Sequence, residues 1–160
     1  ARVAFRRARV NPLNLRAAIG PAYPAAGFSA IVGNPPYVRI QVMREHFSDQ
    51  LEYLQNASSG YESPLAHNFD LYQVFVERAV KLLAPAGRLG YIIPHRFTNH
   101  LSASAIRNVL SKRIERLVHF GEEQAFPGRT TYVAIINAGP QSTSPVTLEL
   151  VKDLTAWREN

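Results

Sequence analysis

The fold follows mainly from one segment, Phe28-Ser29-Ala30-Ile31-Val32-Gly33-Asn34-Pro35-Pro36-Tyr37. It is a short apolar run followed by four residues that must form a loop. Residues 28–32 have the pattern of a buried parallel strand, and Gly33 ends the run. Consecutive prolines lack N–H donors and fix φ, so the next four residues cannot continue a helix or a sheet. Ligands of open α/β sheets bind beyond the carboxyl ends of the strands, which makes this loop the first candidate for a functional site.

The chain after the loop alternates between helical and strand patterns. Apolar residues recur at helical spacing behind Asn68 or Asp70, either of which can cap the helix. The predicted elements are a helix over 69–83, a turn over 85–87, a strand over 88–93, a helix over 103–112, and strands over 114–120 and 131–137. Residues 38–67 are polar and mixed, and no element is predicted there. The alternation predicts an α/β fold with a partial doubly wound, Rossmann-like sheet, mostly parallel with an antiparallel last strand.

Positive charge is concentrated in the first quarter of the chain. The sequence has 18 Lys+Arg against 12 Asp+Glu, which gives a net charge of +6. Up to position 44 it has seven arginines and no acidic residue, so the remainder, with 18 − 7 = 11 basic and 12 acidic residues, sums to −1. A local positive field of this kind suits a polyanion such as nucleic acid.

The amino-acid composition excludes several other classes of protein. A hydrophobic content of 46% provides for a sizeable core and argues against global disorder. The absence of cysteine excludes disulfides, thiolate zinc sites and a cysteine nucleophile, and fits a reducing cytosol. No apolar run approaches the roughly 18 residues of a membrane-spanning helix, and no histidine has metal-ligand spacing with acids. Neither a membrane partner nor a metal site is predicted.

The loop Asn34-Pro35-Pro36-Tyr37 resembles that of the amino-group DNA methyltransferases that use S-adenosylmethionine. The resemblance is to the adenine-N6 enzymes of bacterial and archaeal restriction-modification systems, including the Eco57I-like and TaqI-like type II and fused type IIG enzymes. It runs from about residue 27 to 139, and Gln124-Ala125-Phe126-Pro127 resembles the later aromatic motif of the family. One departure is Ser29, where many relatives have Asp. The resemblance implies a cytoplasmic protein whose partner is double-stranded DNA.

The chemistry of an adenine amino group explains the residue types of the loop. The lone pair of that nitrogen is delocalised into the ring, so two acceptors on its N–H bonds would favour a pyramidal, nucleophilic nitrogen. The side-chain oxygen of Asn34 and the carbonyl of Pro35 can both accept without being deprotonated, and Pro36 holds that carbonyl fixed. The resemblance implies that these residues are catalytic together with Tyr37. Tyr37 and Phe126 would stack on a base flipped out of the duplex.

The cofactor and the DNA backbone require further residues. By resemblance the cofactor is S-adenosylmethionine, which the family binds mainly through a glycine-rich loop and an acidic residue that precede the catalytic loop. None of the nine glycines forms a Gly-x-Gly pattern here, so most of that site is expected upstream of residue 1, with Asn34 and Pro36 as the contributors of this chain. Arg39 and Arg44, just past the loop, are the candidates for phosphate contacts.

The predicted organisation has three parts. Residues 1–26 are a basic connecting segment, 27–139 are the C-terminal half of a methyltransferase catalytic domain, and 140–160 are a linker toward a missing target-recognition region. A missing N-terminal half would make this chain inactive on its own. Two alternatives stay open, a glutamine-amide or ribosomal RNA methyltransferase with the same loop, and a non-catalytic nucleic-acid-binding fragment.

Overall fold

The computed structural model describes residues 24–66, 68–126, 128 and 131–159. The basic arginines before residue 17, Pro127 of the aromatic motif and the last residue of the predicted linker lie outside the described residues. In chain order the elements are β1 (Phe28–Gly33), α1 (Ile40–His46), α2 (Ser48–Gln55), α3 (Leu71–Leu82), β2 (Leu83–Pro94), α4 (Ser104–Leu110), β3 (Ile114–His119), β4 (Val133–Ala138), β5 (Thr147–Leu150) and α5 (Leu154–Glu159). The prediction of an α/β fold is confirmed.

The five described strands form one sheet in the order β1-β2-β4-β3-β5. β1 is parallel to β2, and β3 is parallel to β5. β4 is antiparallel to both of its neighbours, β2 and β3, as predicted for the strand at 131–137. It is not the last strand, because β5 joins the sheet beyond β3. Four of the five strands therefore run in one direction, and their carboxyl ends meet at one edge.

The segment 140–160, predicted as a linker, contributes to the packed unit. Its strand β5 pairs with β3, and Val151 is buried against Val118, Phe120 and Val133. Trp157 of α5 packs edge-on against Phe120 with ring centroids 5.2 Å apart. Within residues 140–159, only 140–146 and 151–153 lie outside a helix or a strand, so the ordered fold extends well past residue 139.

The helix α3 lies where local sequence predicts it, whereas β2 begins at Leu83 and includes the residues 85–87 that were predicted as a turn. Apolar side chains at helical spacing, including Tyr72, Val76 and Ala79, bury one face of α3 against the core that also contains Leu89 and Ile93 of β2. At the start of β2 the pairing with β1 slips, so that residues 84–87 bulge outward. A Cβ on Gly87 would lie 2.5 Å from the carbonyl oxygen of Phe28, and only glycine allows this close approach.

The structure corrects the prediction that β1 is buried. Val32 is 81% exposed, and four of the six residues of β1 are exposed. The reason is position in the sheet, because β1 pairs with β2 on one side and forms the edge of the described sheet on the other. Apolar content predicted a strand correctly, but its burial depends on neighbours that the local sequence does not specify.

Residues 40–55 contain two helices that the sequence did not predict. α1 and α2 bury Ile40, Met43, Leu51 and Leu54 in a cluster with Phe69. The helical conformation is interrupted at Phe47, between the two helices. Neither helix is therefore long enough to show an extended apolar period. The cluster also contains Val74 of α3, and Val38 of the loop after β1 packs against it, so the two helices lie beside α3 and next to that loop.

Within the described part of the chain, none of the helices has both the length and the apolar character needed to cross a lipid bilayer.

Candidate active site at the carboxyl ends of β1 and β2

The loop after β1 is anchored at its far end by a two-residue antiparallel bridge. Arg39 lies opposite Asp70, which immediately precedes α3. The amide of Ile40 donates to the carbonyl of Phe69 at 3.2 Å, and the amide of Leu71 donates to the carbonyl of Val38 at 2.8 Å. Residues 34–38 are therefore held between β1 and this bridge, which limits how far the loop can move.

The two residues predicted to accept hydrogen bonds have their acceptor groups available. Asn34 is exposed, whereas Pro35 is buried and fixes the backbone next to it. Among the described residues, no donor binds the side chain of Asn34 or the carbonyl of Pro35. Pro36 is exposed on the same loop. The loop thus presents two oxygen acceptors on consecutive residues with no competing donor from the described chain.

Tyr37 is fixed at both ends of its side chain. Its hydroxyl donates to the carbonyl of Ile92 in β2 at 2.9 Å, and its ring meets Tyr72 of α3 edge-on at 6.3 Å. Burial raises the pKa of Tyr37 to about 12, so the hydroxyl stays protonated and continues to donate at neutral pH. The ring is half-buried, and it also lines an open cavity.

If this loop carries the methyl transfer that the sequence resemblance implies, a Tyr37→Phe change should have a small effect on it. It removes one hydrogen bond, worth about 1 kcal/mol, but keeps the ring. We expect methyl transfer by the complete protein that carries this sequence to stay within about tenfold, because stacking needs the ring face alone. Tyr37→Ala, which removes the ring, should lower the rate of methyl transfer by more than about tenfold. The measurement is the initial rate with methyl-labelled S-adenosylmethionine, and equal losses in the two variants would mean that the hydroxyl matters more than the ring.

Asp70 links the loop to the end of β2. It occupies the N-cap position of α3, yet its carboxylate does not cap the helix and is paired with the guanidinium of Arg96. The Asp70 side chain is only 10% exposed, and Arg96 is the second residue after the end of β2. A carboxylate buried to this degree is stabilised only if it is paired. Because Asp70 also bridges to Arg39, its ion pair with Arg96 connects the loop after β1 to the segment after β2.

A cavity of about 220 Å³ opens at this edge of the sheet. Its walls are contributed by the loop after β1, the start of α3, the end of β2 and the residues that precede β4. The lining residues are Tyr37, Arg39, Asp70, Pro94, His95, Arg96, Thr131 and Tyr132. Arg39 and Arg96 give the cavity a cationic side, and Tyr37 and Tyr132 give it an aromatic side.

Phe126 packs against the same apolar cluster as Tyr37. Both rings are half-buried, and the cluster includes Val118 and Val133. Arg39 lines the cavity, whereas Arg44 lies in the last turn of α1 on the exposed surface. Among the predicted site residues, the cavity thus brings together Tyr37 and Arg39, Phe126 shares an apolar cluster with Tyr37, and Arg44 lies on α1.

Sequence reasoning missed several residues of this cavity. Asp70 was considered only as a helix cap, and Arg96 and Tyr132 were not singled out. His95 was considered only with the other histidines, none of which has metal-ligand spacing, but it is half-buried and lines the cavity. Its position directly after Pro94, which ends a buried strand, was a signal that it lies at the functional edge of the sheet.

Comparisons with known proteins agree with the resemblance that the loop sequence indicates. Residues 7–126 match the family described as Eco57I restriction-modification methylase. The chain is 33% identical over 133 residues to the type II restriction enzyme and methyltransferase RM.Eco57I of Escherichia coli, an alignment that covers 81% of this chain and 13% of that protein. The chain thus spans only a small part of the length of this relative.

Two solved structures share the fold. The restriction-modification enzyme MmeI, of type IIL and in complex with DNA, superposes with a TM-score of 0.57 at 17% identity and covers 78% of this chain and 17% of its own. A protein of Listeria monocytogenes described as a class I S-adenosylmethionine-dependent methyltransferase gives a TM-score of 0.56 at 12% identity, over 81% of this chain and 38% of its own. At these identities the likeness concerns the fold alone.

Proposed function

The chain belongs to the Eco57I restriction-modification methylase family, and on this premise we propose that it carries the methyl-transfer loop of a DNA methyltransferase that modifies the N6 amino group of adenine. Residues 27–139 would then be the C-terminal half of the catalytic domain. The observation that carries the proposal is the pair of acceptors on Asn34 and Pro35, both without a donor among the described residues. They lie on an anchored loop, beside a ring that is fixed.

The two acceptors act on the attacking nitrogen. The Asn34 side-chain oxygen and the Pro35 carbonyl each accept one N–H of the amino group, which directs the lone pair toward the methyl group to be transferred. As the nitrogen becomes positively charged, both dipoles stabilise that charge more strongly than they stabilise the substrate. Neither group gains or loses a proton in doing so. The bridge between Arg39 and Asp70 keeps these acceptors in place before substrate binds.

S-adenosylmethionine, when bound, supplies an electrophilic methyl group on a sulfonium centre. The residues of this chain that fit a position beside it are Asn34 and Pro36, because both are exposed on the loop at the carboxyl end of β1. Pro36 offers an apolar ring surface with no donor to compete with the acceptors. The exposed edge of β1 next to this loop is consistent with a fold in which further residues complete the cofactor site.

DNA is the proposed macromolecular partner. The target base must leave the duplex to reach the loop, and the rings of Tyr37 and Phe126 are suited to stack on it because both are half-buried against one apolar cluster and Tyr37 lines the cavity. Arg39 in the cavity and Arg44 on α1 would contact phosphates on either side of the flipped base. MmeI, which shares the fold, has been solved in complex with DNA.

Product analysis tests the proposal. The complete protein that carries this sequence is incubated with methyl-labelled S-adenosylmethionine and DNA, and the digested nucleosides are separated. We expect label in N6-methyladenine. Label in a methylated cytosine would contradict the adenine assignment, and label only in ribosomal RNA or in the glutamine amide of a protein would favour the alternative enzymes. DNA binding without any transfer would favour a non-catalytic binding protein.

A further inference from the structure

Three aromatic rings from three neighbouring strands lie nearly parallel beside the cavity. The ring of His95 is 4.7 Å from that of His119 at an interplanar angle of 18°, and 5.8 Å from that of Tyr132 at 11°. His95 follows β2, His119 ends β3, and Tyr132 precedes β4, which runs between them. The stack of His95, His119 and Tyr132 is therefore built by the strand order of the sheet.

Backbone contacts fix this stack in place. The amide of His95 donates to the carbonyl of Tyr132 at 3.1 Å, and the amide of Gly121 donates to Nδ1 of His119 at 2.9 Å. The Nδ1 atom of His95 is buried and has no hydrogen-bond partner among residues 24–66, 68–126, 128 and 131–159. The His95 ring is thus held by ring contacts and not by a side-chain hydrogen bond. One buried polar atom goes without a partner, and the rings stay parallel.

The charge state of His95 suits stacking. Burial, with a smaller contribution from the neighbouring His119, lowers the pKa of His95 below its ordinary value. A neutral imidazole therefore predominates at neutral pH, and it packs against the phenol ring of Tyr132 without a desolvated charge. Among the described residues, the charged groups that line the cavity together with the stack are Arg39, Arg96 and Asp70, and the carboxylate of Asp70 is paired with Arg96.

The stack and the proposed catalytic loop share one cavity. His95 and Tyr132 line it together with Tyr37, and the Tyr132 residue is 39% exposed. Arg39 lies in the same cavity and has no ion-pair partner within the described ranges. An aromatic face beside a cationic group is the combination that holds unstacked nucleic acid, because the bases stack and the phosphates pair.

We propose that the stack of His95, His119 and Tyr132 is a second nucleobase platform, which binds a DNA base that neighbours the target base at Tyr37. The proposal rests on the proposed function, since it takes the ligand of that site to be DNA. A flipped base leaves its neighbours without a stacking partner on one side. The face of Tyr132, supported from behind by the two imidazoles, would supply that partner to one of them.

A binding experiment with two probes tests the platform. The complete protein that carries this sequence is titrated, by fluorescence anisotropy, into a mixed-sequence single strand of about 12 nucleotides. The second probe is an oligomer of the same length in which every base is replaced by an abasic site, so that it keeps the phosphates. We expect Tyr132→Leu to weaken binding of the natural strand by roughly 10- to 100-fold and to leave binding of the abasic oligomer within about twofold. Tyr132→Phe, which keeps the ring, should bind both probes like the unmodified protein.

Several outcomes would overturn the platform. Equal weakening of both probes would assign Tyr132 to phosphate contacts or to structure, and unchanged affinity for both would remove it from the DNA site. Weaker binding of S-adenosylhomocysteine in Tyr132→Leu with DNA affinity unchanged would assign the stack to the adenine of the cofactor. The readout involves no methyl transfer, so a negative product analysis combined with base-dependent loss in Tyr132→Leu would contradict the proposed chemistry and leave the platform standing.

Discussion

An Asn34→Ala variant of the complete protein that carries this sequence should transfer methyl groups about 100- to 1000-fold more slowly, with little change in DNA affinity. The change removes one of the two acceptors proposed to contact the amino group. That acceptor contributes most when the nitrogen becomes positively charged, so its loss raises the barrier rather than weakening binding. The side chain is exposed and has no hydrogen bond within the described structure, so its truncation costs the fold little.

Single-turnover rates with labelled S-adenosylmethionine measure this effect, and electrophoretic mobility shift measures DNA affinity. Asn108→Ala is the matched control, because Asn108 is an exposed residue of α4 at which the same atoms are removed away from the loop. Its rate should stay within about twofold of the unmodified protein, as is usual for exposed sites. A normal rate in Asn34→Ala would exclude the catalytic assignment of the loop even if the protein still bound DNA.

Replacing Glu77 by Gln should destabilise the contact between α3 and the segment before it by about 2–4 kcal/mol. The Glu77 side chain is only 2% exposed and accepts from the amides of Glu62 at 2.8 Å and Ser63 at 3.1 Å. It also pairs with Lys81 one turn later, at 3.0 Å. An amide at this position presents an NH₂ group to one of two backbone N–H donors, so at least one buried donor loses its acceptor.

The effect of Glu77 should depend on pH in a defined direction. Burial alone would raise its pKa, but the N–H groups of Glu62 and Ser63 and the ammonium of Lys81 outweigh burial and lower the pKa below its ordinary value of 4.5. A carboxylate with a lowered folded pKa contributes its full stabilisation above the unfolded value and loses it as the pH falls through the folded value. The difference between the two proteins should therefore be constant near neutral pH and diminish below about pH 4.5.

Hydrogen exchange of the amides over residues 60–66 measures this local free energy as a function of pH. Glu52→Gln is the control, because Glu52 is exposed on α2 and undergoes the same change of charge. It should leave exchange in 60–66 unaltered. Equal protection of these amides in Glu77→Gln and in the unmodified protein at neutral pH would contradict the prediction. It would show that the Glu77 carboxylate does not stabilise the segment.

Much of the fold was predictable from short stretches of sequence. The helix predicted over 69–83 is observed as Leu71–Leu82, and the strand predicted over 114–120 is observed as Ile114–His119. The helix has a regular apolar period, and the strand is a short run with Ile114, Leu117 and Val118, so local preference and burial agree. The loop after β1 was predicted for a different reason, since two prolines exclude every regular element at that point.

Other features could not be predicted because they depend on distant residues. α1 and α2 were missed because each is short and is stabilised mainly by burial against Phe69 rather than by its own periodicity. β1 was predicted to be buried, but apolar content does not determine which strand lies at an edge. The role of Asp70 was likewise hidden, because its partner Arg96 is brought to it only by the folding of β2 along β1.

The sequence by itself determined that an α/β sheet carries a rigid Asn34-Pro35-Pro36-Tyr37 loop at the carboxyl end of a strand, since proline geometry and apolar periods act over a few residues. The tertiary structure alone decided what surrounds that loop. By inserting β4 between β2 and β3, it brings His95, His119 and Tyr132 into one stack beside Tyr37. Strand order and register depend on contacts between segments far apart in the chain, which no local pattern encodes.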